Sequence, residues 1–192
     1  MGVVSLPATM GRRVWQFFRA MTARVSWEEL ESITTYLSPE FLALFRSMAI
    51  QDQRHCLDVW HALRVSGHTD PDLLTAALLH DVGKAVAPLP TWQRAIVVLL
   101  RRLWPSLVHR WAGEAPPSVT ARGDTLTGWR RPFVVHYWHP EIGARLVQEC
   151  GGNPTVVALI RYHQEREGWE SIPMGRQERR LLAALQTADE RY

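Results

Sequence analysis

Apolar positions recur along this chain at three- and four-residue intervals, with no sustained alternation of the strand type. The pattern predicts helix nearly throughout. Residues 11–24 form a basic amphipathic stretch, with Val14, Phe17, Phe18 and Met21 on one face. Ser26-Trp27-Glu28-Glu29 reads as an N-cap with acids in the first turn, opening a short helix to about Tyr36. Ser38-Pro39-Glu40 restarts a helix with proline at its first position. A further helix over about 50–66 ends at Gly67, and Asp70-Pro71-Asp72 caps another that stops near Gly83.

The second half is less regular. Trp92 to Leu103 is a strongly apolar and basic helix, interrupted by Pro105 and continued briefly to Trp111. Residues 113–128, rich in Gly, Pro, Ser and Thr, read as a loop. Pro140 opens a helix to about Cys150, and Gly151-Gly152 ends it. Asn153-Pro154 caps the helix that carries His163, and a last helix spans about 176–190. The expected fold class is all-α. Residues 1–49 form an N-terminal helical extension packing on a domain of residues 50–192, which contains a Trp/Arg-rich insert at 85–138.

Several polar residues interrupt apolar stripes where solvated side chains are not expected. Asp81 follows Leu74, Ala77 and Leu78 at seven, four and three residues, and His80 follows Leu73 and Ala76 on the adjoining edge. His163 lies three and four residues after Ile160 and Leu159. Asp189 continues Leu182 and Leu185, and His55 precedes Val59 and Ala62. An unpaired buried carboxylate costs several kcal/mol, so these groups need a cation, a hydrogen-bond network or one another. Rigid helices projecting histidines and carboxylates inward are the arrangement that a buried metal site requires. Taken singly, each residue has a plainer reading: a hydrogen-bonded core histidine, or an aspartate paired with arginine.

Composition narrows the class. The 192 residues and 46% hydrophobic content suffice for one packed domain, and a net charge of +3 does not argue for nucleic acid. The charge is unevenly spread: seven arginines stand against Glu114 and Asp124 over residues 85–138. Two cysteines without a CxxC motif suit a reducing cytoplasm. The longest strictly apolar run, Ala95 to Leu100, is far short of a membrane span.

The segment DQRHCLDVWHALRVSGHTDPDLLTAALLHDVGK (52–84), followed by HPEIGARLV (139–147), RYHQE (161–165) and TADE (187–190), resembles the HD-domain metal-dependent phosphohydrolase superfamily over about residues 50–192. The resemblance implies a helical HD domain in which His55, His80, Asp81 and Asp189 hold a first divalent ion. Asp81 bridges to a second, with His139 and His163 matching the extra histidines of two-metal subfamilies, including HD-GYP phosphodiesterases. Here His163 is followed by Gln164 instead of a second histidine, and the Gly-Tyr pair of the GYP loop is missing, so cyclic di-GMP hydrolysis is not carried over. Mixed His and carboxylate ligands admit Mn, Fe, Mg, Zn or Ni. The implied activity is hydrolysis of a phosphate ester of a nucleotide or related small metabolite. Asp81 accepts a proton in that scheme, and Lys84, the HDxGK lysine, faces phosphate oxygen. Spacing alone equally allows Lys84 to be an exposed helix-end cation. Arg145 and Arg161 are candidate phosphate clamps or solvated surface charges, and His136 a support for His139. The alternative function is a regulatory HD module that senses a nucleotide or binds protein partners. The basic amphipathic helices leave three contacts open: packing with an arginine rim, anionic lipid, or a partner such as a second copy.

Overall fold

The computed structural model describes residues 24–87, 89–113, 128–165 and 172–192. Nearly all of the expected helix at 11–24 and most of the expected loop at 113–128 lie outside them. The described residues contain nine α-helices and one 3-10 turn, with no strand, so the all-α expectation holds. The helices are α1 (Trp27–Ile33), α2 (Pro39–Ser47), α3 (Ile50–Val65), α4 (Pro71–Leu79), α5 (Thr91–Leu103), α6 (Pro105–Ala112), α7 (Arg131–Glu149), α8 (Pro154–Tyr162) and α9 (Arg176–Asp189). The 3-10 turn, Val82–Val86, lies between α4 and α5.

Local sequence explains most starts. The Ser26 hydroxyl accepts from the Glu29 amide while the Glu29 carboxylate accepts from the Ser26 amide, a reciprocal capping box. Ser38, Asp70 and Asn153 cap α2, α4 and α8 through their side-chain oxygens, each followed by proline at the first turn. Three boundaries sit close to expectation: α3 ends at Val65, α8 at Tyr162 and α9 at Asp189.

Three boundaries differ: α1 ends at Ile33 rather than near Tyr36, and two larger differences bear on the site. α4 stops at Leu79 rather than near Gly83, so His80 and Asp81 occupy a turn between α4 and the 3-10 segment. α7 begins at Arg131 and runs through Pro140 instead of starting there. Proline removes the amide that would bond to the carbonyl four residues earlier, that of His136. The His139 ring satisfies that carbonyl instead, its Nδ1 donating to it at 2.9 Å. The helix therefore survives its internal proline.

The main core joins α1–α4, α7, α8 and α9, with Trp60, Phe45, Ile33, Leu57, Leu78 and Leu182 among its fully buried side chains. Ile33, Leu37, Phe45 and Met48 belong to it, so the described part of the extension packs directly on the remainder. The insert has a smaller core of Val97, Val108 and Phe133, with Leu100 and Trp111 against it. Arg101 and Arg102 are exposed, consistent with core plus an arginine rim, although Ile96, Leu99, Leu103 and Trp104 are exposed as well. No helix among the described residues is long and apolar enough to cross a membrane.

Close backbone approach ties the 3-10 turn to α7. A Cβ on Gly83 would lie 2.1 Å from the His139 carbonyl oxygen and 2.8 Å from the Gly143 amide nitrogen. A Cβ on Gly143 would in turn lie 3.1 Å from the Gly83 nitrogen. Two side-chain-free positions thus let the backbones cross in contact, carrying Asp81 and His139 to the same point.

Candidate metal centre

All six expected ligands converge. α3 supplies His55, the end of α4 His80 and Asp81, α7 His139, the end of α8 His163, and the last turn of α9 Asp189. His55 Nε2 lies 2.8 Å from Asp189 Oδ1 and 4.0 Å from Asp81 Oδ2. His80 Nε2 is 3.6 Å from Asp189 Oδ1 and 3.9 Å from Asp81 Oδ2. The other Asp81 oxygen, Oδ1, is 3.4 Å from His139 Nε2. Asp81 therefore stands between two groups, with Oδ2 toward His55 and His80 and Oδ1 toward His139. Donor atoms of His80, His163 and Asp189 also lie within 4.8 Å of one another, as do those of Asp81, His139 and His163.

The histidines are oriented by carbonyls that their helices leave unpaired. His80 Nδ1 meets the Ala77 carbonyl at 2.9 Å, and His163 Nδ1 meets the Ile160 carbonyl at 2.7 Å. Both carbonyls belong to the last turn of a helix, where intrahelical donors run out. For His139 the internal proline has the same effect. A carbonyl can only accept, so each of these Nδ1 atoms carries the proton. In its neutral form each ring presents a lone pair at Nε2; on His80, whose pKa lies well above the ordinary range without an ion, a cation would take the place of the Nε2 proton.

These lone pairs test the fit of a cation. Nε2 of His80 and Nε2 of His163 are buried and have no hydrogen-bond partner. An orphaned polar atom in a well-packed interior is costly, and two aimed at one cluster of carboxylates call for a shared ligand. Metal–nitrogen and metal–oxygen bonds of about 2.0–2.2 Å put neighbouring donors about 3–3.5 Å apart. The observed separations bracket that spacing. The residues fit a divalent ion.

Electrostatics agree. Burial opposes charge on Asp81, but Lys84, His80 and His139 hold its carboxyl well below the usual range. Asp189 is likewise held far down by His55 and His80 against its burial. Burial also opposes protonation of His80, which Cys56, Asp81 and Asp189 raise well above the ordinary imidazole range. His163 is pushed down to about 3, chiefly by burial and then by the other histidines. The cluster thus keeps two carboxylates ionised and draws positive charge inward.

Lys84 is no solvated helix-end cation. Its Nζ lies 2.6 Å from Asp81 Oδ2. Burial works against its charge, but Asp81 and then Asp52 raise its pKa. Arg145 and Arg161 both pair with Glu141, at 2.8 and 2.7 Å. The basic residue that sequence reasoning missed is Arg101 of α5. Its Nη1 lies 3.4 Å from both His136 Nε2 and Gln164 Oε1. The Gln164 amide nitrogen lies 3.2 Å from His139 Nε2 and donates to it. Gln164 was detectable as the residue replacing a second histidine. Arg101 was not, because its place depends on how α5 folds back over α7.

No family model, curated protein or solved structure matches this chain.

Proposed function

We propose that this chain is a metal-dependent phosphohydrolase of the HD-domain type, holding one or two divalent ions. The reading rests on the unpartnered, buried Nε2 atoms of His80 and His163, aimed at two ionised carboxylates. His55, His80, Asp81 and Asp189 would hold the first ion, and Asp81, His139 and His163 a second. When bound, a divalent cation supplies Lewis acidity, easing deprotonation of water near neutrality and neutralising phosphoryl charge. Hydrolysis adds water across the ester: its oxygen joins phosphorus, the P–O bond to the alcohol breaks, and the alcohol leaves with a proton.

The chain's own residues fill the remaining roles. Lys84 is a fixed cation whose raised pKa suits charge complementation better than proton donation. Arg101 approaches two uncharged side chains, leaving its guanidinium free to meet a phosphate at the same edge. Asp81, held as an anion by Lys84, serves as ligand and anchor more readily than as proton acceptor. The Gln164 amide on His139 Nε2 favours a second reading, a regulatory module that binds metal but turns over slowly.

Metal analysis of the purified chain, followed by a panel of phosphomonoesters and phosphodiesters with Mn or Mg, tests the proposal. Bound metal with turnover supports the enzyme. Bound metal without turnover across the panel supports the regulatory reading, and failure to bind any divalent ion overturns both.

A further inference from the structure

Beside the candidate centre lies a cavity of about 200 Å³, enclosed by the 3-10 turn, α5 and α7. Lys84 and His136 supply its polar side-chain atoms, while Leu89, Val97, Val98 and Val135 form aliphatic walls. The polar end is oriented: Lys84 reaches Asp81, and His136 meets Arg101. One end therefore favours an anion and the rest favours hydrocarbon.

We infer that this cavity receives the apolar alcohol portion of a phosphate monoester, with the phosphate at the Lys84 end. The inference rests on the phosphohydrolase reading for turnover, but not for binding. Nucleobase recognition uses paired donors and acceptors or an aromatic platform. Among the described residues, the cavity's walls offer no amide or carboxylate side chain, and their one aromatic ring is the His136 imidazole, against five aliphatic side chains. At about 30 Å³ per water-sized group, the volume admits roughly six heavy atoms, the size of a short alkyl chain. An aliphatic phosphomonoester suits this space better than a nucleotide.

The test is calorimetric binding of an n-alkylphosphonate series, methyl to octyl, to the full chain loaded with Mn, with adenosine 5′-monophosphate for comparison. Each buried methylene should tighten binding about fourfold, until the series levels off near six carbons. Val98 is 41% exposed at the cavity's edge, so substitutions there spare the core. Val98→Phe should flatten the series, and Val98→Ala should move its plateau to a longer chain, which general damage to the fold would not do. A flat wild-type series, or tighter binding of the nucleotide than of hexylphosphonate, overturns the inference. A rising series without hydrolysis of any phosphate ester leaves the cavity assignment standing and removes the enzymatic one. Hydrolysis with a flat series does the reverse.

Discussion

Gly83→Ala isolates the contact on which the centre depends. Gly83 does not have a positive φ, so alanine suffers no backbone strain there and the effect is purely steric. The new Cβ would stand 2.1 Å from the His139 carbonyl oxygen, where real Cβ contacts are essentially never under 3.0 Å. The 3-10 turn and α7 must therefore separate by about 0.9 Å at least, the difference between those distances. Overpacking typically costs about 1–3 kcal/mol, and a clash with backbone, which cannot rotate away, belongs at the upper end. For a chain of this length about 3 kcal/mol corresponds to a Tm lower by roughly 6–12 °C. The same movement lengthens the 3.4 Å approach of His139 to Asp81, so metal content should fall with stability. Thermal unfolding and metal analysis of the purified variant measure both. Gly67→Ala is the control: φ is +84° and nothing lies within 4 Å of its Cβ, so it should cost about 1–2 kcal/mol through backbone strain alone and keep its metal. A Gly83→Ala protein with wild-type Tm and metal content would refute the crossing as the determinant of the site.

His80→Ala and Asp81→Ala should each abolish metal binding and turnover, and metal analysis with a phosphatase assay exposes any residual activity that places the chemistry elsewhere. Arg101→Ala should lower kcat/KM about ten- to a hundredfold with metal content retained, since it removes charge and not a ligand; an unchanged rate would return Arg101 to the surface rim. Gln164→His should raise metal stoichiometry, read by elemental analysis, because an imidazole would replace the amide that covers the His139 lone pair. In the metal-free protein, burial holds His136 and His163 down to about 3, against about 6.5 in an unfolded chain. The unfolded state then binds more protons between those values, so these two groups make stability fall as pH drops below about 6.5. Denaturant titrations across that range should show the decline, and replacing His163 with leucine should reduce its slope.

The chain's local pattern determined the helical class and most helix starts, because caps such as Ser38-Pro39 and Asn153-Pro154 act within a few residues. It also marked the candidate ligands, since His55, His80, Asp81, His163 and Asp189 interrupt apolar stripes whose periodicity is itself local. The early end of α4 and the early start of α7 were not legible. Each depends on a carbonyl being satisfied by a histidine ring, a bond that propensity does not register. Periodicity does not show that residues 134 positions apart, His55 and Asp189, meet at 2.8 Å; the resemblance implies it, and the packing of the helices brings it about. That packing also turned Arg145 and Arg161 to Glu141 and brought Arg101 to Gln164 instead. A helix period fixes which face a side chain occupies. Which surface that face meets depends on backbone crossings such as Gly83 on Gly143, and those exist only once the helices have packed.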